Sequence, residues 1–180
     1  MLRLVRAIDA FSDLLGRGVA WLLVLMTLLT VVVVVGRYAF GLGAIVLQET
    51  VLYMHAAVFM LAAGYTLRHN GHVRVDILNA RWPARRRAWV EVFGTLFFLL
   101  PVVVFIFWMS WDYVLASWSY HEKSTDGGLP FVYVLKTLLL LMPALLALQG
   151  LAELLRNLAF LGGHHPALYP ETQQHGAGEL

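Results

Sequence analysis

From residue 48 to residue 76 the chain reads QETVLYMHAAVFMLAAGYTLRHNGHVRVD. An acidic residue opens an apolar run long enough to cross a bilayer, which takes about 20 residues at helical rise. The run closes in a basic, polar turn, and a short alternating segment follows, His72-Val73-Arg74-Val75-Asp76. A helix of a soluble core has no use for so many consecutive apolar residues. A plain membrane anchor has none for Gln48, Glu49 and His55. The stretch therefore predicts a spanning helix whose polar side chains need partners, and the rest of the chain is read as supplying some of them.

Three further runs have the same character. The first covers residues 19–35 and ends at Gly36-Arg37-Tyr38. It exceeds the apolar core of a secretory signal, about 7–15 residues, and no small-residue cleavage site closes it, so it reads as a retained span. Gly41-Leu42-Gly43 makes a tight turn into span two, residues 45–67. Span three covers 89–110, with Pro101 near its middle as an expected kink. The aromatic stretch 111–120 is expected at headgroup level. A polar loop, 121–130, leads into span four, 131–151, where Pro143 is a second expected kink.

The predicted fold class is all-α integral membrane, with four transmembrane helices and short amphipathic interfacial helices. One interfacial helix is expected over residues 1–18, where Leu2, Val5, Ile8 or Asp9, Phe11 or Ser12, and Leu15 recur among Arg3, Arg6 and Arg17. It is expected to lie on the cytoplasmic membrane surface. A second is expected where Val75, Leu78 and Trp82 precede the helix-breaking Pro83. The membrane domain is then 19–156. Residues 157–180 form a cytoplasmic tail whose last part, 168–180, has the composition of a disordered segment.

Composition bears this out and excludes several functions. Hydrophobic residues make up 60% of the chain, against roughly half in soluble domains. Cysteine is absent, which rules out disulfides, thiolate metal sites and thiol redox chemistry. No H-E-x-x-H or Ser/Lys constellation supports an enzyme of the bilayer. A net charge of +2 is too small for a nucleic-acid binder, and the basic residues are read as topology signals. Ten of the 13 Lys and Arg residues fall on one side of the four spans, and Arg37, Lys123 and Lys136 fall toward the other. The positive-inside rule then puts both termini in the cytoplasm.

Several polar residues invite a specific role. Arg37 and Glu49 lie six positions either side of Gly43, at matched depth in the hairpin. They either form an ion pair or reach water separately. Gln48, Leu52, His55 and Phe59 share one helical face, so His55 is read as bonding a neighbouring polar group or a partner helix. Haem ligation is disfavoured, because no second intramembrane histidine exists to complete it. Ala56, Ala57, Ala62, Ala63 and Gly64 form a small-residue packing face. His72, Arg74 and Asp76 offer too few ligands for a metal and read better as a polar lock. The Arg85-Arg86-Arg87 run reads as a topology determinant near anionic lipid. Lys136 is expected to reach Asp126 or Glu122, and Glu153 with Arg156 is expected to be a surface pair.

Taken together, these stretches resemble the small membrane subunit of TRAP transporters, the DctQ-like family. The resemblance runs from about residue 19 to 156. It is carried by Gln48-Glu49 with Tyr53 and Ala62-Ala63-Gly64-Tyr65-Thr66-Leu67, and by Gly71-His72-Val73-Arg74-Val75-Asp76. Gly128-Leu129-Pro130, Leu135-Lys136, Leu148-Gln149-Gly150 and Glu153 complete it. The last group is similar to a branch associated with α-keto acids, mannitol and chloroaromatic compounds. Gln48 departs from the aromatic or small residue many members carry there.

The resemblance implies a tripartite importer in the bacterial inner membrane. A periplasmic substrate-binding protein captures an organic acid, and a large DctM-like membrane subunit moves it, driven by a sodium gradient. The small subunit is implied to be a scaffold for the large one, in contact with membrane lipids. It has no cofactor or substrate site of its own, and sodium is expected at the large subunit. Under that reading Glu49 or Lys136 has a further option, an opposite charge on the large subunit. The competing reading is a membrane anchor of a respiratory or quinone-linked enzyme complex.

Overall fold

A computed structural model describes residues 2–41, 43–72 and 82–163. Among these residues the chain forms helices and no strand. The elements are α1 (Leu2–Phe40), α2 (Ile45–Arg68), α3 (Ala84–Gly94), a π-helical turn (Thr95–Leu99), α4 (Leu100–Tyr120) and α5 (Val132–Leu161). The segment from α3 to α4 is a single rod, Ala84–Tyr120, so four helices are long and apolar enough to cross a membrane. Hydrocarbon offers the backbone no hydrogen bonds, so even the β-branched run Val31–Val35 satisfies its own amides as helix.

The helix ends follow from local chemistry. α1 stops at Gly41, whose φ of 66° is a left-handed conformation and whose N–H bonds the Arg37 carbonyl at 3.1 Å. α2 and α4 stop with Asn70 and His121 in the same conformation. Gly71 N–H bonds the Thr66 carbonyl at 2.9 Å, and Glu122 N–H bonds the Ser117 carbonyl at 3.1 Å. Each is the six-to-one bond of a Schellman cap.

Pro101 produces the π turn. A proline lacks the N–H that an α-helix needs and crowds the carbonyl four residues back. Here Leu100 N–H bonds the Thr95 carbonyl instead, which widens the helix just ahead of the ring. Pro143 sits inside α5 and is fully buried.

The helices form a row rather than a closed bundle. α1 packs on α2, α2 on α5, and α5 on the α3–α4 rod, so the rod and α1 are the outer members. α1 also reaches α5 through Val5 and Ile8, which cluster with Ala152. Close approach depends on small residues: a Cβ on Gly64 would meet the Leu145 carbonyl of α5 at 3.3 Å. Gly16 lies flat against the Tyr65 ring, and Gly150 against Leu99. Two ends result. The terminal end carries the start of α1, Arg68 and the end of α5. The hairpin end carries the 41–44 turn and the 121–131 loop.

One expected boundary is absent. α1 runs unbroken through residue 18, so residues 2–18 are not a separate helix on the membrane surface. Val5, Ile8, Ser12, Gly16 and Val19 form a buried stripe along it. The physical reason is that this stripe has protein to pack on. α5, 30 residues long, spans about 45 Å at helical rise and continues past the bilayer core beside α1. Span three is likewise longer than expected, since the aromatic stretch 111–120 stays helical. Residues 75–81 of the interfacial helix expected before Pro83, and the tail from 164, lie outside the described residues.

Candidate functional site

Two polar clusters hold the row together, one at each end. At the terminal end three helices contribute. The Gln149 side chain of α5 is fully buried. Its Oε1 accepts from the Ser12 hydroxyl at 2.8 Å, and its Nε2 donates to Asp9 Oδ1 at 3.1 Å. Arg156 donates to Asp9 at 2.7 Å and to Glu153 at 2.7 Å. From α2, Arg68 donates to Asp13 at 2.6 Å and to the Asp9 carbonyl, and His69 contacts Asp13 at 3.0 Å. Every carboxylate here faces a donor from another turn or helix, the condition for burying charge.

At the hairpin end the 121–131 loop is the organising element. Glu49, in the first turns of α2, accepts from the Ser124 hydroxyl and from the Leu129 N–H, the latter at 2.6 Å. A Cβ on Gly128 would overlap the Glu49 carboxylate, so this position must be bare. The Schellman cap at His121 turns Glu122 back over α4. There it accepts from Ser117 at 2.6 Å and from Lys136 of α5 at 2.5 Å. The hydrogen bond from Lys136, then that from Ser117, and the charge of Lys136 hold the Glu122 carboxyl below its usual range. The Lys136 ammonium also lies 4.0 Å from the centre of the Tyr113 ring. Trp118 Nε1 donates to Thr137 at 3.0 Å and adds another tie between α4 and α5.

The anticipated residues separate into four groups. Lys136, Gln149, Glu49, Glu153 and Gly64 lie within clusters or close packing. Lys136 meets Glu122, one of its two expected loop partners. Ala56, Ala57 and Ala63 are half-buried, as is Gln48. Arg37, His55 and His72 are exposed. Arg74 and Asp76 lie outside the described residues. Two expectations change. Glu49 is taken up by the loop and not by Arg37, because Ser124 and Leu129 approach it from span four's side of the hairpin. Glu153 and Arg156 are not a surface pair: Arg156 is buried and completes the Asp9 site.

Asp9, Ser12, Asp13, Arg68 and His69 were not singled out from sequence. A usable signal was present. Asp9 and Asp13 fall at i, i+4 with Ser12 on the buried side of an otherwise apolar and arginine-bearing helix, and two acids so placed call for cations on neighbouring helices.

These clusters bond helix to helix. Their carboxylates are consumed by donors of the same chain, so the arrangement does structural chemistry. A family profile described as "Tripartite ATP-independent periplasmic transporters, DctQ component" matches residues 26–160. Comparison with curated proteins and with solved structures gave no match. The profile takes in α2, the α3–α4 rod, nearly all of α5 and residues 26–40 of α1, and with them the hairpin-end cluster. The chain is thus a transporter component and not an enzyme, and it belongs to the DctQ family, the small-subunit component of tripartite TRAP transporters.

Proposed function

We propose that the chain is the scaffold on which a large DctM-like subunit operates, in an importer that takes an organic acid from a periplasmic binding protein and is driven by an ion gradient. The substrate and sodium sites belong to the large subunit. The protein sits in the bacterial inner membrane with both termini in the cytoplasm. The gathering of Arg68, Arg85, Arg86, Arg87 and Arg156 toward the terminal end supports that orientation.

The observation that carries the scaffold reading is the exposed face of α2. Gly64 is the one buried residue of that helix. His55 is exposed between Leu52, 57% exposed, and Phe59, 69% exposed. It lies six residues inward of Glu49, about 9 Å along the helix. An imidazole on an otherwise apolar face is costly, and a partner helix with a donor or acceptor at that depth relieves it. A row of helices with such a face suits a fixed platform.

Co-purification with the large subunit tests this. His55→Leu should lower recovery of the large subunit several-fold and reduce transport in the same proportion, with substrate preference unchanged. A variant that assembles normally but prefers a different substrate would contradict the scaffold role.

A further inference from the structure

The α4 rod carries a hollow that neither cluster uses. It measures about 370 Å³ and is lined by Phe107, Trp108, Trp111 and Asp112. We propose that it binds the ammonium headgroup of a membrane phospholipid, of which phosphatidylethanolamine is the simplest.

Position is the first argument. α4 is an outer member of the row, and it buries Val103, Val114 and Ser117. Asp112 stands nine residues from Val103, half a turn round at 100° per residue, so it is on the side away from that packed stripe. Asp112 is exposed, Trp108 is 78% exposed and Trp111 is 45% exposed. No ion pair within the described residues reaches Asp112.

Depth is the second. Tyr113, the next residue, lies under the Lys136 ammonium that bonds Glu122 of the hairpin-end loop. One residue is a rise of about 1.5 Å, so Asp112 stands at the depth of that polar layer. A headgroup reaches this level.

Chemistry is the third. A carboxylate beside two indoles favours a cation, through charge and through the electron-rich ring faces. It disfavours a lipid whose headgroup is only anionic. Trp108, one turn inward of Asp112, and the Phe107 ring, packed 5.5 Å from Trp111, give the glycerol and upper acyl region an apolar wall. Tryptophan is the side chain suited to such a wet and oily boundary.

The full chain is reconstituted with equal phosphatidylethanolamine and phosphatidylglycerol, extracted gently, and its retained lipids are counted by native mass spectrometry. Phosphatidylethanolamine should be retained preferentially. Asp112→Asn should cut that preference by roughly fivefold, the scale of one exposed cation–π or ionic contact, and Asp112→Glu should keep it. Helical content and thermal stability of each variant confirm that the fold is intact. Equal retention of both lipids, or an unchanged preference in Asp112→Asn, overturns the proposal. So does efficient cross-linking of an Asp112→Cys variant to the large subunit in the assembled complex, since the hollow would then be a protein interface.

Discussion

Arg156 and Asp9, 147 residues apart in sequence, meet at 2.7 Å and close the terminal end of the row. Their side chains are 8% and 16% exposed, so neither charge has ready access to water. Removing one partner leaves Arg156 with Glu153 alone, or Asp9 with Gln149 and the more distant Arg68. Arg156→Ala or Asp9→Ala should each cost about 3 kcal/mol, the lower edge of values for breaking a buried pair. The paired change Asp9→Leu with Arg156→Met should recover much of the loss. Thermal unfolding of the four proteins in one detergent measures the coupling.

Gly16 lets α1 close on the Tyr65 ring of α2. A methyl at this position would overlap the Tyr65 ring, and that ring is held between the helix and His69, 4.3 Å away centroid to centroid. Gly16→Ala should therefore destabilise by about 1–3 kcal/mol, although alanine is the better helix former. Gly18→Ala, two residues on, meets nothing within 4 Å and should be neutral or stabilising. Comparing the melting temperatures of the two variants separates packing from propensity.

Glu49 anchors the 121–131 loop and does not meet Arg37. Glu49→Ala should cost about 2 kcal/mol, the scale of hydrogen bonds to a charged acceptor. It should also expose the loop to protease. Gly128→Ala should imitate it by pushing the carboxylate off the Leu129 N–H. Arg37→Ala should add to Glu49→Ala without coupling, and a double-mutant cycle reads this directly. Rescue of one by the other would mean that the two residues pair after all.

Acid should loosen the same loop through Glu122. Its carboxyl is held below the ordinary value of 4.5, first by the hydrogen bond from Lys136. A depressed carboxyl contributes stability that is present above its unfolded value and lost as pH falls through the folded one. Cleavage within 121–131 should therefore be slow at neutral pH and quicken below about pH 4.5. Glu122→Gln should cleave faster at neutral pH and lose the part of the acid dependence that Glu122 carries. Limited digestion with an acid-stable protease, compared across pH, gives the measurement.

The sequence alone determined that there are four spanning helices and where each begins to be apolar. Both follow from local physics. A bilayer sets the length of an apolar run, and hydrocarbon forces each run to satisfy its own amides as helix. It also marked Glu49, Lys136, Gln149 and Gly64 as residues needing close neighbours, because polar or very small side chains in such runs are seldom idle. Only the tertiary structure decided who those neighbours are. Matched distances from Gly43 put Arg37 and Glu49 at one depth but say nothing of direction around the helix, and Glu49 turns toward Ser124 and Leu129. The first 18 residues read as amphipathic in either setting. Whether their stripe lies on lipid or on protein depends on how far α5 extends past the membrane, and α5 extends far enough for Gln149, Ala152 and Arg156 to meet it. Depth and helicity are properties of single segments, whereas azimuth and pairing arise from lateral packing between helices distant in the chain.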